Sequence, residues 1–128
     1  MTDVFVCYSR KDQDFVQNLH EALELRNRDT WVDYEDIPAT AAWVDHAYLG
    51  IEGCYAFVFV ISPESIASQF CRQELFYAVE HNKRIVPIVR REVGVECIPP
   101  PLENYNWIFF RENDNFEMAL QCLTQRVT

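Results

Sequence analysis

The chain has 128 residues and a mass of 15.1 kDa, which is the size of one domain. Hydrophobic residues make up 49% of it and charged residues 24%, so it has enough apolar material for a packed core. Asp and Glu number 20 against 11 Lys and Arg, and the resulting charge of −9 argues against a nucleic-acid partner.

The cysteines and the N-terminus predict a cytoplasmic protein. The chain has five cysteines, an odd number, without C-x-x-C or metal-finger spacing, which predicts reduced thiols and no metal site. Met1 is followed directly by Thr2 and Asp3, a pattern that predicts no signal peptide. The longest apolar run, Cys54–Ile61, is far shorter than a membrane span, so no membrane partner is expected.

Short apolar runs alternate with amphipathic stretches along the chain. The apolar runs predict five strands, at residues 4–8, 30–33, 54–61, 84–89 and 107–110. Helical spacing predicts four helices, at residues 12–26, 43–51 and 71–82 and after residue 114, with approximate bounds. Asp12 is the predicted cap of the first helix, and Asp114 with Glu117 resembles a capping box at the start of the last. The third run is apolar throughout, which predicts a central strand covered on both faces. In the fourth run, Pro87 argues against full pairing.

This alternation predicts an α/β fold, specifically a flavodoxin-like doubly wound sheet of five parallel strands in the order 2-1-3-4-5, with helices on both faces. Ligands of such sheets bind outside the carboxyl ends of the strands. The loops expected at that edge are residues 9–13, 34–43, 62–70 and 90–104.

Some functions of this fold are excluded by missing residues. The three glycines, Gly50, Gly53 and Gly94, form neither a dinucleotide-binding G-x-G-x-x-G motif nor a P-loop. Ser62 stands where a receiver domain needs a phosphorylatable aspartate at the end of the third strand. A flavodoxin-like electron carrier would need a phosphate-binding loop after the first strand, and none is present.

Five segments of the chain resemble, in order and spacing, the conserved boxes of the TIR domain (Toll/interleukin-1 receptor/resistance protein), in its bacterial form. They are DVFVCYSR (3–10), WVDYEDIP (31–38), FVFVISPES (57–65), SQFCRQEL (68–75) and RIVPI (84–88). The resemblance extends from residue 3 to about 123 and implies the flavodoxin-like fold already predicted. It also implies that residues 1–128 are a single TIR domain, expected to be the N-terminal domain of a longer signalling or defence protein.

Many TIR domains cleave NAD+ between nicotinamide and ribose, and some cyclise the ADP-ribose product. The family motif S-x-W-C-x-x-E matches Ser68, Phe70, Cys71 and Glu74. The resemblance therefore implies that Glu74 is the catalytic carboxylate and that NAD+ is a substrate, with no cofactor required. A carboxylate suits this reaction because it stabilises the oxocarbenium-like sugar that forms as the bond breaks. The alternative for Glu74 is a solvated carboxylate near a helix start.

The resemblance implies further substrate-binding residues around Glu74. They are Tyr8, Ser9 and Arg10 after the first strand, Asp33 after the second, Ile37 and Trp43 in the following loop, and Ser68, Phe70 and Cys71. Arg10 is expected to bind the pyrophosphate. The alternatives are core packing for Tyr8, Trp43 and Cys71, a surface ion pair for Arg10 and an Asx turn for Asp33.

Two functions remain open from the sequence. The first is an NAD+ nucleosidase that is activated by self-association with other TIR domains. The second is a non-catalytic module that only binds other TIR domains. The carboxylate at Glu74 favours the enzyme, because a scaffold has no need of it. Phe70 replaces the usual Trp of the motif, which leaves open whether the product is linear or cyclic ADP-ribose.

Overall fold

A parallel five-stranded sheet forms the centre of the fold. The computed structural model describes residues 2–32 and 41–128, and the backbone alone for residues 41–45. The strands are β1 (Thr2–Cys7), β2 (Thr30–Trp31), β3 (Cys54–Ile61), β4 (Arg84–Val89) and β5 (Ile108–Phe109). They lie in the order β2-β1-β3-β4-β5, and every neighbouring pair is parallel. The predicted fold class and strand order are confirmed.

In the described parts of the chain, five helices surround this sheet. They are α1 (Gln13–Leu25), α2 (Ala41–Glu52), α3 (Pro63–Ala67), α4 (Gln69–Glu80) and α5 (Phe116–Arg126). Buried side chains of α1 and α5 share one core with the sheet, and those of α2 and α4 share a second core on its other face. Short 3-10 turns lie at Arg10–Asp12, Val95–Cys97 and Pro100–Leu102.

The alternation of side chains along β1 and β3 builds the two cores. In β1, Val4 and Val6 point towards α1 and α5, whereas Phe5 and Cys7 point towards α2 and α4. In β3, every residue from 56 to 61 is fully buried. The prediction that this strand is central and covered on both faces is therefore confirmed.

The edge strands are shorter than predicted. The structure ends β2 at Trp31 rather than at residue 33, and β5 comprises only Ile108 and Phe109. Each of these strands has one neighbour, so pairing extends only as far as that neighbour permits. β5 pairs with Ile88 and Val89 alone, and this confirms that β4 is not fully paired at Pro87.

The cap predicted for α1 is wrong. Asp12 stands at the position before α1 but accepts no capping hydrogen bond from the helix. Its carboxylate instead accepts two hydrogen bonds from Arg91. A guanidinium offers a stronger, charge-assisted bond than a backbone N–H, and the sequence alone does not bring these two residues together. Ser9 is the residue that caps this segment, by accepting a hydrogen bond from Lys11 N.

The capping box predicted for α5 is also wrong. The helix is capped by Asn115, whose side-chain oxygen accepts a hydrogen bond from Met118 N at 3.0 Å. Asp114 instead binds the guanidinium of Arg111, three residues before it, and Glu117 pairs with Arg26, which directly follows α1. Arginine partners, one local and one distant in sequence, thus replace the predicted capping box.

The helix α3 was not predicted, although its start has a clear local signal. The Ser62 hydroxyl accepts from Ser65 N, and the Ser65 hydroxyl accepts from Ser62 N, which is a complete capping box. Pro63 follows at the first helical position, where its missing N–H costs nothing. These buried serines turn the chain from β3 into α3 and towards α4.

An ion-pair cluster joins the loops that follow β1, β3 and β4. Arg91, after β4, donates to Asp12 Oδ1 from Nε at 3.1 Å and from Nη2 at 3.0 Å, and it also binds Glu64 of α3. The Asp12 side chain is only 3% exposed, whereas that of Arg91 is 41% exposed. The bond to Arg91 lowers the pKa of Glu64 below its ordinary value.

Removal of Arg91 is expected to destabilise the fold because it leaves Asp12 charged, buried and unpaired. Arg91→Ala should lower the free energy of unfolding by about 2 kcal/mol, less than the loss of a fully buried pair because water already reaches Arg91. Urea denaturation followed by circular dichroism measures this loss.

Arg111→Ala is the matched control, since Arg111 is equally exposed at 40% but binds the more exposed carboxylates of Glu92 and Asp114. It should change stability much less than Arg91→Ala. The double variant Asp12→Asn, Arg91→Ala should recover most of the lost stability. Equal losses for the two arginines would contradict the role given to the burial of Asp12.

The close approach of α2 to the sheet depends on a glycine. A Cβ on Gly50 would lie 3.0 Å from the rings of Phe5 and Trp31, which stack on each other. A Cβ on Gly53 would meet nothing closer than a backbone oxygen at 3.5 Å.

We expect Gly50→Ala to destabilise the protein although alanine favours helices, because the stacked rings beneath it cannot retreat. Gly53→Ala has no positive φ to oppose it and should be neutral or stabilise by up to ~1 kcal/mol. Thermal unfolding of the two variants tests this opposite response. A stabilised Gly50→Ala protein would show that the contact is loose.

Candidate active site

The candidate site lies where the chain leaves the carboxyl ends of β1 and β3. After β1 the chain continues into α1 on one face of the sheet, and after β3 it continues into α3 and α4 towards the other face. This divergence creates the crevice in which doubly wound sheets bind their ligands. The two faces of this edge carry different side chains.

The first turn of α4 supplies the motif residues. Ser68 is the N-cap of α4, and its hydroxyl accepts a hydrogen bond from Cys71 N at 3.3 Å. Phe70 is 39% exposed, so part of its ring is accessible from solvent. Glu74 is partly buried and lies four residues after Phe70, on the same face of the helix. The structure therefore brings Ser68, Phe70 and Glu74 together at the start of α4.

Two buried thiols join this part of α4 to the end of β1. The Cys7 thiol lies 3.7 Å from the carbonyl oxygen of Cys71, and the Cys71 thiol lies 3.5 Å from the carbonyl oxygen of Tyr8. Each thiol thus has a backbone carbonyl of the other segment within hydrogen-bonding distance. Because Cys71 is buried, it packs beneath the candidate site, as the alternative for this residue predicts.

The Glu74 side chain reaches the Cys7 thiol. Burial raises the pKa of Cys7 well above that of an ordinary thiol, and the neighbouring Cys71 and Glu74 side chains raise it further, partly by hydrogen bonding. Cys7 is therefore protonated at neutral pH and is unsuited to act as a nucleophile. Glu74, the one acidic residue of the matched motif, therefore lies close to the last residue of β1.

The residues after β1 take separate positions. The Tyr8 ring packs against the core shared with α1 and α5, so it lies on the opposite face from Cys7. Ser9 caps the 3-10 turn that follows, and Arg10 is exposed at the start of that turn. Arg10 is therefore accessible to a ligand, whereas the Tyr8 ring serves mainly as packing.

Three of the predicted substrate-binding residues lie where the structure describes no side chains. Asp33 and Ile37 lie outside the described residues, and Trp43 lies on α2 in the part for which only the backbone is described. Their predicted roles stay predictions.

The other face of this edge carries a groove of about 800 Å³ that the sequence did not single out. Acidic and basic side chains alternate on its walls: Lys11, Asp12, Asp14, Phe15, Arg90, Arg91, Glu92, Arg111, Glu112 and Asn113. Arg90 lies 4.7 Å above the centre of the Phe15 ring and donates to the carbonyl of Phe110. None of the matched α4 motif residues lines this groove. The sequence predicted part of its lining only as the loops at residues 9–13 and 90–104 of the ligand-binding edge.

Metal binding and membrane crossing each require a recognisable structural feature. Among residues 2–32 and 46–128, whose side chains are described, no three His, Cys, Asp or Glu side chains are grouped so that they could hold a metal ion. Within the same ranges, no helix has both the length and the apolar character needed to cross a membrane.

The arrangement on α4 can bind a cation at the sheet edge. It presents a carboxylate one helical turn after an exposed aromatic ring, and both groups attract a positively charged ring or sugar. Arg10, which follows β1, carries an exposed positive charge.

Comparison with solved structures shows the same fold in proteins of distant sequence. The TIR domain of the Toll-related receptor TRR-2 from Hydra magnipapillata matches with a TM-score of 0.83 at 22% identity, over 99% of this chain and 98% of that one. The CMP N-glycosidase BcmB of Clostridium botulinum matches with a TM-score of 0.66 at 17% identity, over 95% and 98% of the two chains. The heterodimer of the RPS4 and RRS1 TIR domains matches with a TM-score of 0.69 at 15% identity, over 97% and 93%.

The sequence itself matches the family model of the TIR domain over residues 4–124, which is nearly the whole chain. This match agrees with the strand order, the two helical layers and the position of the motif on α4. The chain belongs to the TIR domain family.

Proposed function

We propose that this TIR domain is an NAD+ nucleosidase. It cleaves the bond between nicotinamide and ribose and releases nicotinamide together with ADP-ribose or a cyclic isomer of it. Glu74 is the catalytic carboxylate. The observation that carries the proposal is the position of Glu74 at the carboxyl edge of the sheet, next to the end of β1 and one turn after the exposed ring of Phe70.

The chemistry requires one well-placed negative charge. Nicotinamide leaves from a ring that is already cationic, so the leaving group needs little help from a general acid. The sugar acquires oxocarbenium character as the bond breaks, and a carboxylate beside it stabilises this charge. Water, or a nucleophilic atom of the same molecule, then attacks the anomeric carbon to give the linear or the cyclic product.

The side chains around Glu74 fit the remaining parts of NAD+. The exposed face of Phe70 suits the nicotinamide ring, to which it offers stacking and an attraction for its positive charge. Arg10 is exposed after β1 and suits the pyrophosphate. The Ser68 hydroxyl accepts a backbone hydrogen bond and retains its own proton, which it can donate to a ribose oxygen.

The comparisons support the cleavage of an N-glycosidic bond, but they do not identify the substrate. BcmB, which shares the fold, is by its description an N-glycosidase that acts on CMP. Cleavage of the bond between a base and a ribose is therefore within the repertoire of this architecture. NAD+ as the substrate rests on the family motif and on the geometry of Glu74.

Self-association is the proposed means of activation. The RPS4 and RRS1 TIR domains form a heterodimer, so domains of this fold do bind one another. In our proposal, contact with a second TIR domain completes the pocket around Glu74. The second candidate function is a module that binds other TIR domains without catalysis. The heterodimer of the RPS4 and RRS1 TIR domains favours this function equally.

Glu74→Gln is expected to lower the rate of nicotinamide release by at least ~100-fold, because it removes the charge that stabilises the sugar cation. Release from NAD+ is measured by chromatography, which also separates linear from cyclic products. Glu80→Gln, an exposed change near the end of the same helix, is the matched control and should retain the wild-type rate. Similar rates for wild type and Glu74→Gln would contradict the assignment of Glu74.

Forced clustering is expected to raise the rate per domain. When the chain is fused to a tetrameric coiled coil, its local concentration reaches the millimolar range, well above that of a dilute monomer. The fused protein should therefore turn over NAD+ faster per domain, and the fused Glu74→Gln variant should stay inactive. Absence of nicotinamide release from the fused wild type would favour the scaffold.

A further inference from the structure

A buried thiol lies directly behind the proposed catalytic carboxylate. Cys7 is the last residue of β1 and is only 1% exposed. Its side chain points to the face of the sheet that is covered by α4. It meets the helix at Cys71, one turn before Glu74, and it lies close enough to the Glu74 carboxylate for that group to raise the pKa of the thiol.

The Cys7 thiol has one proton and two acceptors within reach. One acceptor is the backbone carbonyl of Cys71, at the long distance of 3.7 Å, and the other is the Glu74 carboxylate. A charged acceptor forms the stronger hydrogen bond, so the ionised carboxylate attracts this proton. Burial keeps the thiol protonated, which means that the donor is present throughout the neutral pH range.

We propose that Cys7 is a positioning residue for Glu74: its buried S–H group donates to the carboxylate and holds it in the orientation that faces the sugar. This role rests on the function proposed above. A thiol is a weak donor, so it restrains the carboxylate while leaving most of the negative charge available to the substrate. The Cys71 thiol completes the attachment by binding the carbonyl of Tyr8, which fixes α4 against the end of β1.

The kinetic test compares two substitutions at Cys7. Cys7→Ala removes the donor, and we expect kcat to fall about tenfold while KM changes less than about twofold, since the carboxylate is misplaced in the transition state but substrate contacts remain. Cys7→Ser retains a donor, and its kcat should stay within about threefold of wild type. The acid limb of the pH–rate profile should move to higher pH in Cys7→Ala alone, because the charged carboxylate loses a hydrogen bond.

The pair of substitutions separates positioning from a merely structural role. A hydroxyl in this buried place costs at least as much stability as a methyl group, so a structural effect would make Cys7→Ser no better than Cys7→Ala. Rescue of kcat by serine despite equal or lower thermal stability therefore supports the proposal. Equal kcat values for Cys7→Ala and wild type, or equal losses in both variants, would overturn it.

Cys54→Ala is the matched control. Cys54 is also buried, at 2% exposure, and its thiol also lies near a backbone carbonyl, 3.1 Å from that of Ile51. It pairs in register with Thr2, at the opposite end of β1 from Cys7, which places it about 16 Å from the site. Its loss should leave kcat unchanged, whereas a loss equal to that of Cys7→Ala would overturn the proposal.

The hydrogen bond itself is tested without any turnover. The infrared S–H stretching band that disappears in Cys7→Ala belongs to this thiol. Glu74→Gln should shift that band because a neutral amide replaces the charged acceptor, and Glu80→Gln should not. A band that is unchanged in Glu74→Gln would overturn the proposal. The band could also shift in Glu74→Gln while the clustered wild type releases no nicotinamide. That result would overturn the proposed function and the positioning role of Cys7, but it would leave the contact between Cys7 and Glu74 intact.

Discussion

The burial of β3 on both faces is the constraint from which the other features follow. Six consecutive apolar residues of this strand are fully buried, so both faces of the sheet need a helical cover. Covering both faces requires the chain to alternate strands with helices, and the strands must then run parallel. Parallel strands place all their carboxyl ends at one edge, which is where the α4 motif and the ion-pair cluster both lie.

The direction in which the chain leaves this edge gives each face its own chemistry. On the side of α4, two thiols and the partly buried Glu74 create an environment with one acidic group and a weak donor behind it. On the side of α1, Arg91 joins Asp12 to Glu64. The first arrangement places a carboxylate beside buried thiols, whereas the second uses its charges to hold the loops together.

The sequence predicted the parts of the fold that local pattern controls. The runs that form β1, β3 and β4 are rich in β-branched and aromatic residues, so the sequence predicted these three strands unambiguously. The edge strands came out shorter because their pairing depends on a neighbour. Both predicted helix caps failed for a common reason, since Asp12 and Asp114 bind arginines and leave the caps to Ser9 and Asn115.

By itself, the sequence determined the alternation of strands and helices, because that depends on periodicity. It also indicated the family and the candidate carboxylate, because five segments resemble the conserved boxes of the TIR domain. Only the tertiary structure decided which side chains meet Glu74. Cys7 and Cys71 are 64 residues apart and come into contact because β1 and α4 pack together. It also decided that the Tyr8 ring faces away from the motif, since neighbouring residues at a strand end point to opposite faces. Long-range packing, which no local pattern encodes, thus sets the environment of the proposed catalytic group.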